Sequence, residues 1–255
     1  MKVTFLGTGT SQGVPVIGCD CQVCRSLDYR DKRLRTSIHI ETDGQSLVID
    51  TGPDFRQQML RENIGRLDAV ILTHAHRDHT AGLDDVRAYN FLQHQAMPVY
   101  GTAETLQQVK EDFAYIFNPD GYPGLPKLDL RTISEGDFTI NNTTITPLPV
   151  LHLKLPVFGF RLGNFSYITD ANLIPESTYA KLRDTKILVI NALQKEEHVS
   201  HFNLKGAIEV VKKVNPEKAY FTHISHKMGL HAEVSKELPE NIALAMDGLQ
   251  VSLEY

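Results

Sequence analysis

Short apolar runs recur along the chain and predict a succession of β-strands. The run Asp68–Leu72, for example, is brief and almost wholly apolar, which is typical of a buried strand. The predicted strands are Lys2–Leu6, Ser37–Glu41, Gln45–Asp50, Asp68–Leu72, Pro98–Tyr100, Leu130–Ile133, Phe138–Ile140, Thr143–Leu148, Val157–Leu162, Phe165–Thr169, Ile187–Ile190 and Ala219–Thr222.

Helices and turns separate these strands. Apolar residues at helical spacing follow the candidate N-cap Thr102, and a second helix is expected around Leu204–Val214. The sequence Thr42-Asp43-Gly44 predicts a hairpin turn, and the Pro and Gly residues of Asn118–Pro126 predict a loop. Two strand-rich halves, each with helices, predict an α/β sandwich of two packed sheets with helices outside.

Composition indicates an ordinary globular protein. The chain has 255 residues, of which 42% are hydrophobic and 22% charged, and we interpret residues 1–255 as a single domain because no repeat or linker interrupts them. The formal net charge of -5 gives no general attraction to nucleic acid. No apolar run approaches the roughly 20 residues that cross a membrane, and no signal peptide is recognisable, so we expect a cytoplasmic protein.

The most informative motif is His-Ala-His-Arg-Asp-His, which directly follows the strand Asp68–Leu72. Crowded imidazoles repel one another when they are charged, whereas neutral His nitrogen and ionised Asp oxygen bind zinc, manganese or iron well. His74 and His76 can point the same way from an extended segment. Asp78 and His79 fall past the bend and can face a neighbouring ion, so the spacing predicts two metal ions.

The H-x-H-x-D-H pattern resembles the metallo-β-lactamase superfamily of metal-dependent hydrolases. His152, Asp170 and His223, each at or after a predicted strand, occur in the order that this superfamily uses. The resemblance implies an αββα four-layer sandwich with the metal site at one edge of the two sheets. In the implied ligand set, the first metal is bound by His74, His76 and His152, the second by Asp78, His79 and His223, and Asp170 bridges them.

Two further polar residues are candidates for the same site. His201 is placed similarly to a non-ligand histidine that phosphodiesterases of this superfamily use to contact phosphate or protonate the leaving oxygen, and His198 is the second choice for that role. Asp50 ends a predicted strand, where it either accepts a hydrogen bond from a ligand imidazole or caps the turn. The resemblance makes Asp78 and His201 the catalytic candidates.

All three cysteines lie within one six-residue segment, as Cys19, Cys21 and Cys24. A disulfide framework has no partners elsewhere, and clustered thiols in a cytosolic chain point to metal binding. The C-x-C-x-x-C loop resembles that of the PhnP phosphodiesterases, in which a histidine three residues after the last active-site histidine completes a structural zinc site. That position is His226 here, and His231 is the alternative fourth ligand.

The cysteine loop and the histidine segments together resemble the PhnP branch, which is related to tRNase Z. The resemblance implies phosphodiester hydrolysis by a metal-bridged hydroxide, with small cyclic or nucleotide-like diesters as substrates. The alternatives are tRNA 3′-end processing, thioester or lactone hydrolysis, and a non-catalytic metal-binding protein of the same fold. We expect substrate contacts from Phe91–Pro126 and Leu153–Val157, no membrane partner, and a homodimer as the common assembly of this architecture.

Overall fold

The apolar runs form the strands of two seven-stranded sheets. The computed structural model describes residues 1–118 and 122–253. The strands in chain order are β1 (Lys2–Gly7), β2 (Ser37–Thr42), β3 (Gln45–Ile49), β4 (Ala69–Ile71), β5 (Met97–Gly101), β6 (Leu128–Thr132), β7 (Phe138–Ile140), β8 (Thr143–His152), β9 (Leu155–Leu162), β10 (Phe165–Ile168), β11 (Ile187–Asn191), β12 (Lys218–Thr222), β13 (Ile242–Leu244) and β14 (Gln250–Ser252).

The order of strands brings distant segments to a common edge. The first sheet runs β14-β1-β2-β3-β4-β5-β6 and the second runs β13-β12-β11-β10-β9-β8-β7. Strands β3 to β6 are parallel to one another, and so are β10 to β13. Because parallel strands end at the same edge of a sheet, the loops after β3 and β4, and those after β10 and β12, lie close together.

The predicted αββα sandwich is confirmed, and the burial of alternate side chains shows why it forms. Leu47 and Ile49 enter the core between the two sheets, whereas Val48 enters a separate core beneath the helices outside the first sheet. A strand that is covered on both faces reads as a continuous apolar run, as β3 does. The second sheet has its own outer core, to which Ala207 and Val210 of the last long helix contribute.

Helices lie outside both sheets and in the connecting loops. The α-helices are α1 (Gln22–Arg25), α2 (Phe55–Arg61), α3 (Arg77–Thr80), α4 (Arg87–Gln93), α5 (Ala103–Asp112), α6 (Glu176–Lys181), α7 (Leu204–Val214) and α8 (His231–Glu237). Single 3-10 turns cover Tyr29–Asp31, Leu83–Val86, Ala114–Phe117 and His226–Met228. The Thr102 side chain accepts a hydrogen bond from Thr105 N, so the predicted N-cap is confirmed.

Several boundaries differ from the prediction. The strand predicted to end at Leu148 continues through Pro149 to His152, because β9 pairs with it as far as His152 opposite Leu155. Proline is tolerated in this part of β8 because β7 pairs with β8 only up to Ile145, so no strand needs a backbone N–H from Pro147 or Pro149 on the edge away from β9. Helices α1, α2, α3, α6 and α8 and strands β13 and β14 were not predicted, since each is short and depends on tertiary packing.

Within the described residues, no helix is both long and apolar enough to cross a membrane. Of the loop predicted over Asn118–Pro126, residues 119–121 lie outside the described part of the chain.

Candidate active site

The predicted site residues converge where strands from both sheets end. Asp50 follows β3, the histidine motif follows β4, His152 ends β8, Asp170 follows β10 and His223 follows β12. The backbone of Asp50, Asp170 and His223 adopts left-handed conformations, with φ of 66°, 54° and 54°. This conformation turns the chain sharply at the end of a strand, and Asp and His tolerate it better than most residues do.

Four of the predicted ligands form one cluster, namely Asp78, His79, Asp170 and His223, whose ligand atoms all lie within 4.8 Å of one another. His79 Nε2 is 3.2 Å from oxygens of both Asp78 and Asp170, and His223 Nε2 is 3.1 Å from Asp170 Oδ1. Both nitrogens are buried and make no hydrogen bond with the described residues. The distances between these four ligand groups are those of side chains that point at a common position, as ligands do around an ion.

The other three predicted ligands lie beside this cluster. His74 Nε2 and His76 Nδ1 are 2.9 Å apart. The His152 ring centroid is 5.2 Å from that of His76 and 5.9 Å from that of His74. His152, Asp170 and His201 also place ligand atoms within 4.8 Å of one another, so Asp170 belongs to both groups.

Hydrogen bonds from outside the cluster fix the tautomers of three imidazoles. Asp50 Oδ2 accepts a 2.7 Å bond from His79 Nδ1 and a 2.8 Å bond from the Thr73 hydroxyl. That hydroxyl therefore accepts from His74 Nδ1, at 2.9 Å. His152 Nδ1 donates to the Ser200 carbonyl at 2.8 Å. In each ring Nδ1 is thereby occupied, and Nε2 is the atom that can bind an ion once it carries no proton.

The hydrogen bond expected of Asp50 is therefore present, but sequence reasoning missed its two counterparts. Thr73 directly precedes the histidine motif, and a hydroxyl at that position was an available signal. Ser200 acts through its backbone carbonyl, which carries no signal in a sequence. Gly52 is required for close packing here, since a Cβ at this position would meet the Asp78 carbonyl.

Electrostatics favour positive charge at the centre of the cluster. Burial alone would lower the pKa of His79, but Asp170, Asp50 and Asp78 raise it well above 6.5. Burial would likewise raise the pKa of Asp170, yet His223 and His79 hold it well below 3.8. The pKa of Asp78 is also held below 3.8, whereas burial raises that of Asp50. Asp78 and Asp170 thus remain ionised beside a buried nitrogen, and such a donor set fits divalent cations.

His201 lies at the mouth of this cluster. Its Nε2 is 3.1 Å from Asp170 Oδ1, and its Nδ1 is 3.0 Å from the Ser200 hydroxyl and 3.3 Å from His198 Nδ1. Burial lowers the pKa of His201 to about 4, so the imidazole is neutral at pH 7. The Ser200 hydroxyl can donate to Nδ1, and Nε2 then carries the proton. His198 is exposed, further from the ligands.

The cysteines form a second group with His226. The three Sγ atoms lie 3.3, 3.4 and 3.5 Å from His226 Nδ1. A backbone hydrogen bond from Cys24 is the main reason that the pKa of Cys21 falls to about 6, which favours the thiolate that binds metals. The alternative ligand His231 is not part of this group, because its Nδ1 instead accepts a 3.1 Å hydrogen bond from Arg33.

Comparison with known proteins gives the same assignment of fold. Residues 45–224 match the beta-lactamase superfamily domain. A solved diphosphatase of the PhnP family superposes with a TM-score of 0.93, at 38% identity over 99% of this chain and 98% of that one.

Longer curated relatives also match. An octanoyltransferase of Porphyromonas gingivalis is 38% identical over 257 residues, which are 100% of this chain and 52% of that protein. A ribonuclease Z of Methanococcus maripaludis is 26% identical over 63% of this chain and 48% of its own length. The chain therefore spans about half the length of the curated relatives it matches. The match of the superfamily domain and the near-complete PhnP-family match show that this chain belongs to the beta-lactamase superfamily of metal-dependent hydrolases, within its PhnP family.

Proposed function

We propose that the protein is a binuclear metal-dependent phosphodiesterase that hydrolyses small cyclic or nucleotide-like phosphodiesters. The observation that carries the proposal is the position of Asp170, which converges with Asp78, His79 and His223 and also lies within 4.8 Å of the ligand atom of His152, a member of the other proposed ligand set. A carboxylate shared in this way suits two adjacent cations, because it offsets part of their mutual repulsion. The PhnP-family diphosphatase supports phosphate ester chemistry, since it aligns over 99% of this chain.

The proposed cofactors are two zinc or manganese ions, with iron as a further candidate for the same ligands. His74, His76 and His152 would hold one ion, Asp78, His79 and His223 the other, and Asp170 both. Such ions lower the pKa of water and neutralise phosphoryl oxygens when they are bound. Asp50, Thr73 and the Ser200 carbonyl keep the imidazole lone pairs directed into the site.

His201 is the proposed donor to the substrate. Its Nε2–H faces the Asp170 side of the site and can donate to a phosphoryl or leaving oxygen. Because the imidazole is neutral at pH 7, full transfer of a proton requires that the ring first take up a second proton from solvent, so that it returns to neutral imidazole afterwards. The negative charge of the bound phosphate favours this uptake because it raises the pKa of a neighbouring histidine. The second catalytic candidate, Asp78, acts through the ion that it binds.

The cysteine group is proposed as a structural zinc site with Cys19, Cys21, Cys24 and His226 as ligands. Three sulfurs and one imidazole nitrogen complete a tetrahedral set and leave no position for substrate.

The test is hydrolysis of bis(p-nitrophenyl) phosphate beside p-nitrophenyl phosphate by manganese-loaded protein. Asp78→Ala should lower diesterase turnover by about three orders of magnitude, since several kcal/mol of transition-state stabilisation are lost with a metal ligand. Asp129→Ala, which removes a carboxylate on β6, is the control and should keep full activity. Diester hydrolysis that survives in Asp78→Ala would refute the binuclear mechanism.

Two other substrates belong in the same assay. The octanoyltransferase relative matches this whole chain, so an octanoyl thioester tests acyl hydrolysis. The ribonuclease Z relative is the reason to test a precursor tRNA as a substrate. We propose a small-molecule substrate instead, because the formal net charge of -5 gives no general attraction to nucleic acid. Turnover of either compound without diester hydrolysis would replace the proposed substrate class, and bound metal without any turnover would indicate a non-catalytic role. The homodimer stays a proposal that light scattering can test.

A further inference from the structure

Four aliphatic side chains are exposed next to the candidate active site. Leu153, Leu155, Leu173 and Val199 have exposed fractions of 53%, 43%, 47% and 74%. We call these four residues the aliphatic ridge. Scattered exposed apolar residues are ordinary in proteins, whereas a contiguous group marks a binding surface.

Hydrogen bonds bring the segments that carry the ridge residues together. Leu153 N donates to Asn172 Oδ1 at 2.7 Å, and Asn172 Nδ2 donates to the Val199 carbonyl at 3.3 Å. The strand residue Leu151 donates to the Leu173 carbonyl at 3.0 Å. Three separate segments of the chain are thereby fastened side by side.

The same segments carry active-site histidines. Leu153 directly follows His152, and Val199 lies two residues before His201. The 2.8 Å bond from His152 Nδ1 to the Ser200 carbonyl joins the two segments at the point where they reach the site. The ridge therefore adjoins the histidine that we propose as donor to the leaving oxygen.

Leu153 has an unusual conformation for its residue type. Its φ is 58°, in the left-handed region, which costs an L-residue with a Cβ about 1 kcal/mol or more. Because the Leu153 side chain is half exposed, its burial within the chain offsets little of this conformational free energy. A contact that buries the side chain on binding would explain why a large apolar residue occupies this turn.

The four ridge side chains themselves carry no hydrogen-bonding group, although the exposed Lys154 lies between Leu153 and Leu155 and the exposed His198 precedes Val199. Asn172 uses its amide oxygen and one amide N–H in bonds to the backbone. Contact with the ridge side chains is therefore apolar, and such contact suits an alkyl chain or an aromatic ring that bears one.

We infer that the aliphatic ridge binds the apolar part of the leaving group, so that the preferred substrates are phosphodiesters of alkyl or alkyl-aryl alcohols. This inference rests on the proposed phosphodiesterase function and names its substrate class. It makes Leu153, Leu155, Leu173 and Val199 determinants of specificity, with no part in bond cleavage.

The experiment compares methyl phenyl phosphate with methyl 4-butylphenyl phosphate, whose phenols have nearly the same acidity. The double variant Leu153→Asn/Val199→Ser removes two ridge side chains, and asparagine tolerates the left-handed conformation at 153. Leu27→Ser/Leu60→Asn is the matched control, since these residues are 99% and 63% exposed, just after α1 and on α2. Calorimetry with phenylphosphonate and 4-butylphenylphosphonate measures the same preference without turnover.

The wild type and the control should favour the butyl diester in kcat/KM, mainly through KM, by about tenfold, as burial of roughly half the butyl group predicts. The ridge variant should lose this preference, because its kcat/KM should fall more for the butyl diester than for methyl phenyl phosphate. Diester hydrolysis with no butyl preference, or with one that the variant keeps, overturns the inference and leaves the proposed function intact.

No hydrolysis of either diester, together with a calorimetric butyl preference that the variant loses, rejects the proposed function and supports the ridge as an alkyl-binding surface. No preference in calorimetry rejects the ridge as well. A variant that dissociates a dimer but keeps the butyl preference also overturns the inference, because the ridge would then be a subunit contact.

Discussion

Single residues at strand ends determine the chemistry of the site. Asp170 is the clearest case, because it is buried, ionised and within 3.2 Å of nitrogens of His79, His201 and His223. A buried carboxylate is unfavourable without compensating charge, and here imidazoles supply part of that compensation. Of these imidazoles, His79 and His223 are proposed metal ligands, and their Nε2 atoms already face Asp170.

The role of His201 can be separated from that of the ligands. His201→Ala should lower kcat by about a hundredfold, as expected for loss of a positioned proton donor, with metal content unchanged. The matched variant is His198→Ala, which removes the exposed neighbour and should change kcat less than twofold. Elemental analysis of both variants decides the question, because metal lost from His201→Ala would make this residue a ligand.

His39 makes stability depend on pH in a predictable direction. Burial is the main reason that its pKa falls from 6.5 to about 4, and its Nε2 is bonded to Ser46 Oγ at 2.7 Å. Because the folded pKa is the lower one, its stabilising contribution is present above pH 6.5 and is lost as the pH falls from 6.5 to 4. Urea unfolding should show that the free energy of unfolding falls between pH 7 and pH 5 by about 2 kcal/mol less in His39→Gln than in the wild type. An equal loss in both proteins would contradict this assignment.

At the scale of elements, short segments orient the ligands. Helix α3 begins at Arg77 inside the histidine motif, so His76 precedes the bend and His79 follows it. Arg77 pairs with Asp112 of α5 at 2.9 Å and lies over the Phe113 ring, which anchors the motif to the outer helices.

The cysteine segment with helix α1 should be stabilised by its own ion. Cys21→Ala should remove one equivalent of zinc, spare the two active-site ions and lower Tm by about 5 °C or more, since a structural site contributes directly to folding. Leu27→Ala, an exposed position just after α1, is the control and should leave both zinc content and Tm unchanged. Unchanged zinc in Cys21→Ala would reject the structural site.

At the scale of the whole molecule, the candidate metal site joins the two sheets. The histidine motif follows β4 of the first sheet, whereas His152, Asp170 and His223 come from the second. Ions bound here would link the sheets at one edge, beyond the apolar core that packs them together.

Removal of active-site metal should therefore destabilise the fold. Zinc or manganese at a hundred times its dissociation constant should stabilise the protein by about 2.7 kcal/mol relative to chelated protein, which raises Tm by about 5–10 °C. Differential scanning calorimetry with and without chelator measures the shift. The rise should be strongly reduced in Asp170→Asn, and a full rise in that variant would show that the stabilising ion binds elsewhere.

The sequence by itself determined most of the strands, the fold family and the principal polar residues, because these depend on neighbours in the chain. Leu47, Val48 and Ile49 form a continuous apolar run, and the histidine motif and the three cysteines are each confined to six residues. Local patterns of this kind are readable before any strand is paired.

Only the tertiary structure decided which distant groups meet. The choice of His226 over His231 and the bond from His152 to the Ser200 carbonyl join residues that are far apart in the chain. The left-handed turns at Asp50 and Asp170 and the contiguity of the aliphatic ridge likewise depend on the packing of whole strands and loops. Sequence shows which side chains can bind or donate, whereas distance and direction are fixed only when the strand ends of two sheets are brought to one edge.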